Sequence, residues 1–328
     1  MKTGNDHEGK TLWQAVAMGL LAAVFFSVTF VLNRQMSQEA GHWAWSAALR
    51  FLMMLPVLAL IITLRGQWER FLILWRLSPW GWVVWGTTGC VVFYAALTAA
   101  CAVSPAWVVA ATWPVAIVIG ILLGPLIYQG DRGKIPRLSL LFSLIILLGI
   151  GLLQIGQFQH GLAGNVTLGL VLVLLSATAH PVGNRKSMMI LEHSGLSTDA
   201  ILRLTLSIVG SLPGLLLLCL WGGLEAGAPA SGQLETVALV AAAGLIATPL
   251  FYAATDKVNH NPSALAAVEA TQTAELVFTL LLEAMLLGIS MPDHWGKLGL
   301  FLIMLGMILH AKPKRVRRIK RGGVPKMC

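Results

Sequence analysis

Charge is what this sequence has least of. Only 11% of its 328 residues are Asp, Glu, Lys or Arg, against about 25% in an ordinary soluble domain. With 57% hydrophobic residues and a mean hydropathy of +0.77, the composition excludes a soluble globular protein. Cysteine is sparse as well. Cys90, Cys101 and Cys219 sit in apolar runs and Cys328 ends the chain, with neither paired nor metal-ligand spacing, so no disulfide and no metal are expected. There is no glycine-rich phosphate loop with its lysine and no nucleophile signature, which argues against ATP-driven work, an enzyme or a bound cofactor. The formal charge of +9 would suggest nucleic acid in a soluble protein. In a membrane chain the position of the charges explains it, and no nucleic-acid partner is expected.

What is present is a series of ten apolar runs: Trp13 to Leu32, Ala44 to Leu64, Trp80 to Ala100, Pro105 to Ile127, Leu138 to Ile155, Val166 to Val182, Ala200 to Trp221, Val237 to Thr255, Ser263 to Gly288 and Leu298 to His310. Each reads as a transmembrane helix, the last one short. The first has an acidic as well as basic leader and no small-x-small cleavage site, so it reads as a span rather than a signal peptide. With the N-terminus inside, 19 Lys and Arg fall in cytoplasmic segments, Arg185 and Lys186 among them, and only Arg34 and Lys297 fall outside. That bias predicts a multi-pass protein with both termini cytoplasmic. The basic tail from Lys312 to Lys326 reads as an anchor on anionic lipid. Trp13, Trp43, Trp45, Trp80, Trp82, Trp221 and Trp295, near run ends, read as an aromatic belt.

The chain also repeats itself. Phe93-Tyr94-Ala95-Ala96 followed by Ser104-Pro105 recurs as Phe251-Tyr252-Ala253-Ala254 followed by Asn261-Pro262, offset by 158 and then 157 residues. Asn33-Arg34 leading to Arg50 recurs as Asn184-Arg185 leading to Arg203, offset by 151 and 153. The expected architecture is an all-α integral membrane protein with ten transmembrane helices in two inverted five-helix repeats, residues 13–156 and 166–310. A short tail, residues 1–12, and a basic one, residues 311–328, lie in the cytoplasm.

Ten spans in two inverted halves, Pro-initiated hairpins at Ser104-Pro105 and Asn261-Pro262, and the Asn-Arg end of the first helix resemble the drug/metabolite transporter superfamily, and within it the bacterial multidrug resistance efflux transporter group. The resemblance covers about Trp13 to His310. It implies a bacterial inner-membrane transporter whose third, fourth, eighth and ninth helices border a central cavity. Many relatives carry Glu-Pro in the ninth helix where this chain has Glu269-Ala270, so a kink there is open; Trp113-Pro114 keeps a proline in the fourth.

The ninth run carries three carboxylates, Glu269, Glu275 and Glu283. A carboxylate at membrane depth must be paired, face water or be protonated, and marks a substrate or ion path. At about 100° per residue, Glu269, Gln272, Thr279 and Glu283 fall within about 80°, with Glu275 about 40° further round. Glu275, roughly 20 Å of rise from Pro262, is nearest mid-membrane and is the expected proton-exchanging group. Glu269 lies nearer the cytoplasm, and Glu283 is expected at the outer interface. Arg50 and Arg203, one to two turns into their spans, either snorkel to the interface or pair with a glutamate or an anionic substrate group. Asn33 and Asn184 read as helix C-caps. His180, before Pro181, either ends a kinked helix or relays a proton. Phe93, Tyr94, Trp107, Trp113, Phe251 and Tyr252 are candidate cavity walls for a flat or cationic substrate.

The expected function is export of hydrophobic or cationic drugs by proton antiport with alternating access. The alternative is a metabolite exporter or facilitator, for an amino acid or an anionic metabolite, using Arg50 or Arg203. The partners are a small-molecule substrate, protons and the bilayer, and a monomer is expected.

Overall fold

Water is absent from a bilayer core, so a spanning backbone must satisfy its own N–H and C=O groups; a helix does this within one segment. The computed structural model describes residues 3–128, 130–133, 135, 137–159, 163–196, 199–289 and 292–311. The basic tail Lys312 to Lys326, Cys328, Lys134 and residues 160–162, in the loop expected between two repeats, lie outside the described residues. The helices are α1 (Thr3–Gln38), α2 (Trp43–Leu64), α3 (Trp68–Leu77), α4 (Pro79–Val103), α5 (Ala106–Ile127), α6 (Arg137–Gln159), α7 (Ala163–Ser194), α8 (Ala200–Ala226), α9 (Ser231–Val258), α10 (Pro262–Leu287) and α11 (His294–Ala311). Among the described residues there is no strand, and eight helices are long and apolar enough to cross a membrane. The other two expected spans, α6 and α11, carry shorter apolar stretches, Leu140–Ile155 and His294–Leu309. They pack extensively against each other.

The interior of the bundle is mainly apolar but also takes in small hydroxyl side chains, and large apolar side chains cover its outer faces. Ser27, Ser176, Ser207 and Ser211 are buried, whereas Leu126, Leu224 and Met285 are exposed on the outer faces. Two of these hydroxyls return to carbonyls of their own helix, Ser27 to Val24 at 2.6 Å and Ser211 to Ile208 at 2.8 Å, while Ser176 of α7 donates to the Phe93 carbonyl of α4 at 2.8 Å. Without a hydrophobic drive between helices in lipid, small residues let backbones approach. A Cβ on Gly89 of α4 would stand 3.3 Å from the Cα of Gly183 in α7.

The helix pairings follow a pattern. α1 packs on α9 and α10, and α7 packs on α4 and α5. α2 meets α9 while α8 meets α4; α2 pairs with α8, and α6 with α11. Exchanging α1 with α7, α2 with α8, α4 with α9, α5 with α10 and α6 with α11 leaves this set of pairs unchanged.

Among the described residues, three helices change winding midway. α4 has a π-helical segment at Thr87–Val92, α5 breaks at Trp113-Pro114, and α10 tightens to a 3-10 turn at Thr271–Thr273. Pro114 explains the second break, because it removes a backbone donor. In α10, with no proline at the turn, the hydroxyls of Thr271 and Thr273 bond the carbonyls of Val268 at 2.6 Å and Ala270 at 2.8 Å, competing with the helical ladder.

Several expectations at run ends are corrected. α3 occupies what reads as a loop with Arg70 and Arg76. Its apolar side buries Phe71 and Leu74, and Glu69 and Arg76 suit the two ends of the helix dipole. Trp82 is not in an aromatic belt: it is fully buried, and its Nε1 donates to the Leu74 carbonyl at 2.9 Å. α1 and α7 run past Asn33 and Asn184, so neither caps a helix. Arg34 and Arg185 are therefore helical, and Arg185 is buried within the bundle rather than in a loop.

Candidate functional site

The rewound segments of α4, α5 and α10 meet around a cavity bordered also by α1, α2, α7, α8 and α9. It has about 540 Å³ of empty volume, crevices and mouth included. Phe26, Phe51, Phe93, Trp113 and Phe251 form apolar walls, and Arg50, His180, Tyr252, Gln272 and Glu275 supply polar groups. Of the six expected wall aromatics, Phe93, Trp113, Phe251 and Tyr252 reach it. Tyr94 and Trp107 are buried outside its lining.

The two arginines do not snorkel. Arg50 is 2% and Arg203 0% exposed, because each guanidinium lies over the tyrosine of its own half. Arg50 Cζ stands 4.1 Å from the Tyr94 ring centroid and Arg203 Cζ 3.9 Å from that of Tyr252. Such stacking gains more when water is excluded. Arg203 also forms an ion pair with Asp256 at 3.0 Å. Arg50 forms none among the described residues, and its Nε is buried without a hydrogen-bond partner. Gly244 of α9 makes room for it: a Cβ there would sit 3.0 Å from both Nε and Nη2. Tyr94 in turn accepts a 2.8 Å hydrogen bond from Asn33, the role that replaces the expected cap.

Glu275 is 2% exposed, lines the cavity and leaves its Oε1 without a hydrogen-bond partner. His180 lies among Phe93, Trp113 and Phe251, with ring centroids 4.7, 5.6 and 5.8 Å away. Its Nε2 is also buried and unpartnered. Gln272 borders both this cavity and a smaller one, which reaches Glu269 past His180, Pro181 and Asn184.

Glu269 is engaged. Arg185 Nη2 donates to both its oxygens, at 2.9 and 3.0 Å, and Arg185 Nη1 bonds the Gly120 carbonyl. The residue at position 120 is glycine because a Cβ would stand 2.9 Å from the guanidinium. Arg185 is the polar residue the sequence reading missed. The clue was there, in its register with Arg34 of the first half. Glu283 is engaged as well. It is buried and accepts from the backbone N–H groups of Ala106 at 2.9 Å and Trp107 at 2.7 Å. Pro105 leaves those first-turn donors without partners, and a carboxylate suits the positive end of the helix dipole. Arg34 serves the other side of the same hairpin, donating to the carbonyls of Cys101 at 3.1 Å and Ala102 at 3.0 Å.

At the surface, Asp199 caps α8 through the Leu202 N–H at 2.8 Å and accepts from Gln67 at 2.9 Å and Arg65 at 3.0 Å. Partial burial pushes its carboxyl up, but the Gln67, Leu202 and Arg65 donors outweigh this and hold it below the usual carboxylate range.

A helical membrane bundle whose polar side chains converge on an aromatic-walled cavity defines a polytopic transporter. The comparisons make this specific. The family model described as "Putative multidrug resistance efflux transporter" matches residues 13–316. The chain belongs to this family, in the drug/metabolite transporter superfamily. It is 41% identical over 319 residues to "Uncharacterized protein YjlA" of Bacillus subtilis (strain 168), covering 94% of this chain and 97% of that protein. It is 36% identical over 269 residues to the "Uncharacterized 42.1 kDa protein in intracellular alkaline protease 3'region" of Shouchella clausii, covering 80% of this chain and 70% of that one.

Proposed function

We propose that the protein is a secondary active exporter of hydrophobic or cationic small molecules, working by proton antiport and alternating access. The observation that carries this reading is Glu275: a carboxylate at cavity depth, free of any ion pair among the described residues, beside aromatic walls. Such a group can exchange a proton for a cationic substrate. The groups facing the same space are Arg50, Cys90, His180, Tyr252 and Gln272. Glu269, held by Arg185, joins α7 to α10 in this conformation and is the ion pair that rearranges when the bundle changes state.

The exchange symmetry of the helix pairings supports ten spans in two inverted five-helix repeats, residues 13–156 and 166–310, with α6 and α11 as the fifth and tenth. The two arginine–tyrosine stacks support it independently. Inverted repeats place a binding site near the midplane and let one half rock against the other. The protein acts as a monomer in a bacterial inner membrane with both termini cytoplasmic. Arg50 in the cavity wall favours a second reading, a metabolite exporter.

Ethidium movement into everted vesicles tests the first reading, with and without a pH gradient, for wild type and Glu275→Gln. Gradient-driven uptake that the variant loses is expected. Uptake that stays fully gradient-dependent in Glu275→Gln would refute proton exchange at this residue, and no uptake in wild type would favour the metabolite exporter.

A further inference from the structure

The two repeat-related arginines are held alike but neutralised differently. Arg203 has Asp256 at 3.0 Å. At the matching place in the first half, 158 residues earlier, stands Thr98. Its hydroxyl is engaged with the carbonyls of Trp43, Tyr94 and Ala95. A threonine brings no charge. Of the three buried arginines among the described residues, Arg185 has Glu269 and Arg203 has Asp256, and Arg50 alone has no carboxylate within ion-pair distance. Arg50 is also the one of the three that borders the central cavity.

A guanidinium cannot shed its proton, so Arg50 is a fixed positive charge in a medium where an unpaired charge is costly. Glu275 shares the cavity without closing an ion pair onto it. A simple cation bound to ionised Glu275 leaves Arg50 uncompensated. A simple anion on Arg50 leaves Glu275 needing a proton. A molecule carrying both charges compensates both groups at once, while Phe26, Phe51, Phe93, Trp113 and Phe251 receive an apolar body.

We infer that Arg50 is an anion subsite of the cavity, so that the favoured substrates are amphoteric: an apolar body bearing an amine for Glu275 and a carboxylate for Arg50. This rests on the cavity around Glu275 being the transport site. Two sources share the chemistry, an aromatic amino acid and an amphoteric drug.

The test is binding to the purified full-length protein in detergent, by isothermal titration, of two matched pairs. L-phenylalanine is compared with its methyl ester, and norfloxacin with its ethyl ester; each ester keeps the amine and loses the carboxylate. Wild type is expected to favour the acid over the ester in at least one pair by roughly 10- to 100-fold, the worth of a charge-assisted hydrogen bond. The pair that shows the preference identifies the source. Arg50→Gln is expected to erase the preference by weakening the acid far more than the ester, and Arg50→Lys to keep part of it. Equal loss of acid and ester in Arg50→Gln would overturn the subsite, since Arg50 would then serve only as an internal counter-ion. A preference that survives in Arg50→Gln would overturn it too, while sensitivity of both compounds to Glu275→Gln would leave the transport site standing. No binding of any of the four compounds to wild type would overturn the site and the subsite together.

Discussion

Breaking the Arg185–Glu269 pair should be expensive in a diagnostic way. Arg185 and Glu269 side chains are 5% and 8% exposed, and the guanidinium reaches both carboxylate oxygens and the Gly120 carbonyl. Removing one member of such a pair leaves a charge in the interior without its partner, which costs about 3–5 kcal/mol. The two single variants differ in their means of relief. In Glu269→Gln the guanidinium stays charged, because arginine cannot deprotonate, so the full cost is expected. In Arg185→Gln no fixed cation is left behind, and the cost should fall toward the lower end of that range. The double variant keeps two neutral amides able to bond each other and should cost only about 1–2 kcal/mol, so the coupling energy is expected to exceed about 2 kcal/mol. Unfolding of the purified protein by SDS titration in mixed micelles, run on all four proteins as a double-mutant cycle, measures it. Costs that add to within about 0.5 kcal/mol would refute the pair as a bond between α7 and α10.

Two further outcomes follow from the same geometry. Gly244→Ala sets a Cβ 3.0 Å from the Arg50 guanidinium and 3.2 Å from Met54 Sδ. It should shift Arg50 off the Tyr94 ring and lower stability in an SDS titration by about 1–2 kcal/mol, the worth of a desolvated cation–π contact; unchanged stability would show that the stack does not set Arg50's position. Asp199→Ala removes the α8 cap and should cost about 1 kcal/mol at pH 7. Because the folded-state carboxyl is held low, its contribution is present above the unfolded value of about 3.9 and lost as pH falls through the lower folded one. The stability gap between wild type and variant in an SDS titration should therefore be constant from pH 7 to about 5 and close below about 4; a gap that does not change with pH would refute the ionic part of the cap.

The membrane class and the helical runs were legible because bilayer thickness imposes a long apolar signal that few other structures produce. The polar groups at depth were legible too, since Arg50, Arg203, His180, Gln272 and the three glutamates stand out against apolar neighbours. Their partners were not. Arg185 follows an apolar run that ends at Val182, and only the continuation of α7 to Ser194 turns a loop charge into a buried one. The bond from Glu283 to the first turn of α5 was not legible, because a linear reading cannot see that Pro105 starts a helix whose N–H groups lie 177 residues away in sequence and within reach of it. The 3-10 turn of α10 was hidden for a different reason. Side-chain hydroxyls of Thr271 and Thr273 replace the expected proline, and such local competition depends on rotamers rather than residue order. The amphipathic α3 was readable from Trp68, Phe71 and Trp75 at helical spacing, but ten residues fall below the length at which a run draws notice.

The most direct test of the central claim is proton release on substrate binding. Purified protein in weakly buffered detergent, with a pH indicator, receives ethidium, whose permanent charge ensures that any proton released comes from the protein. The expected result is about one proton per ethidium bound in wild type near neutral pH and none in Glu275→Gln. Binding without release in wild type, or equal release in the variant, would contradict Glu275 as the group that exchanges proton for substrate.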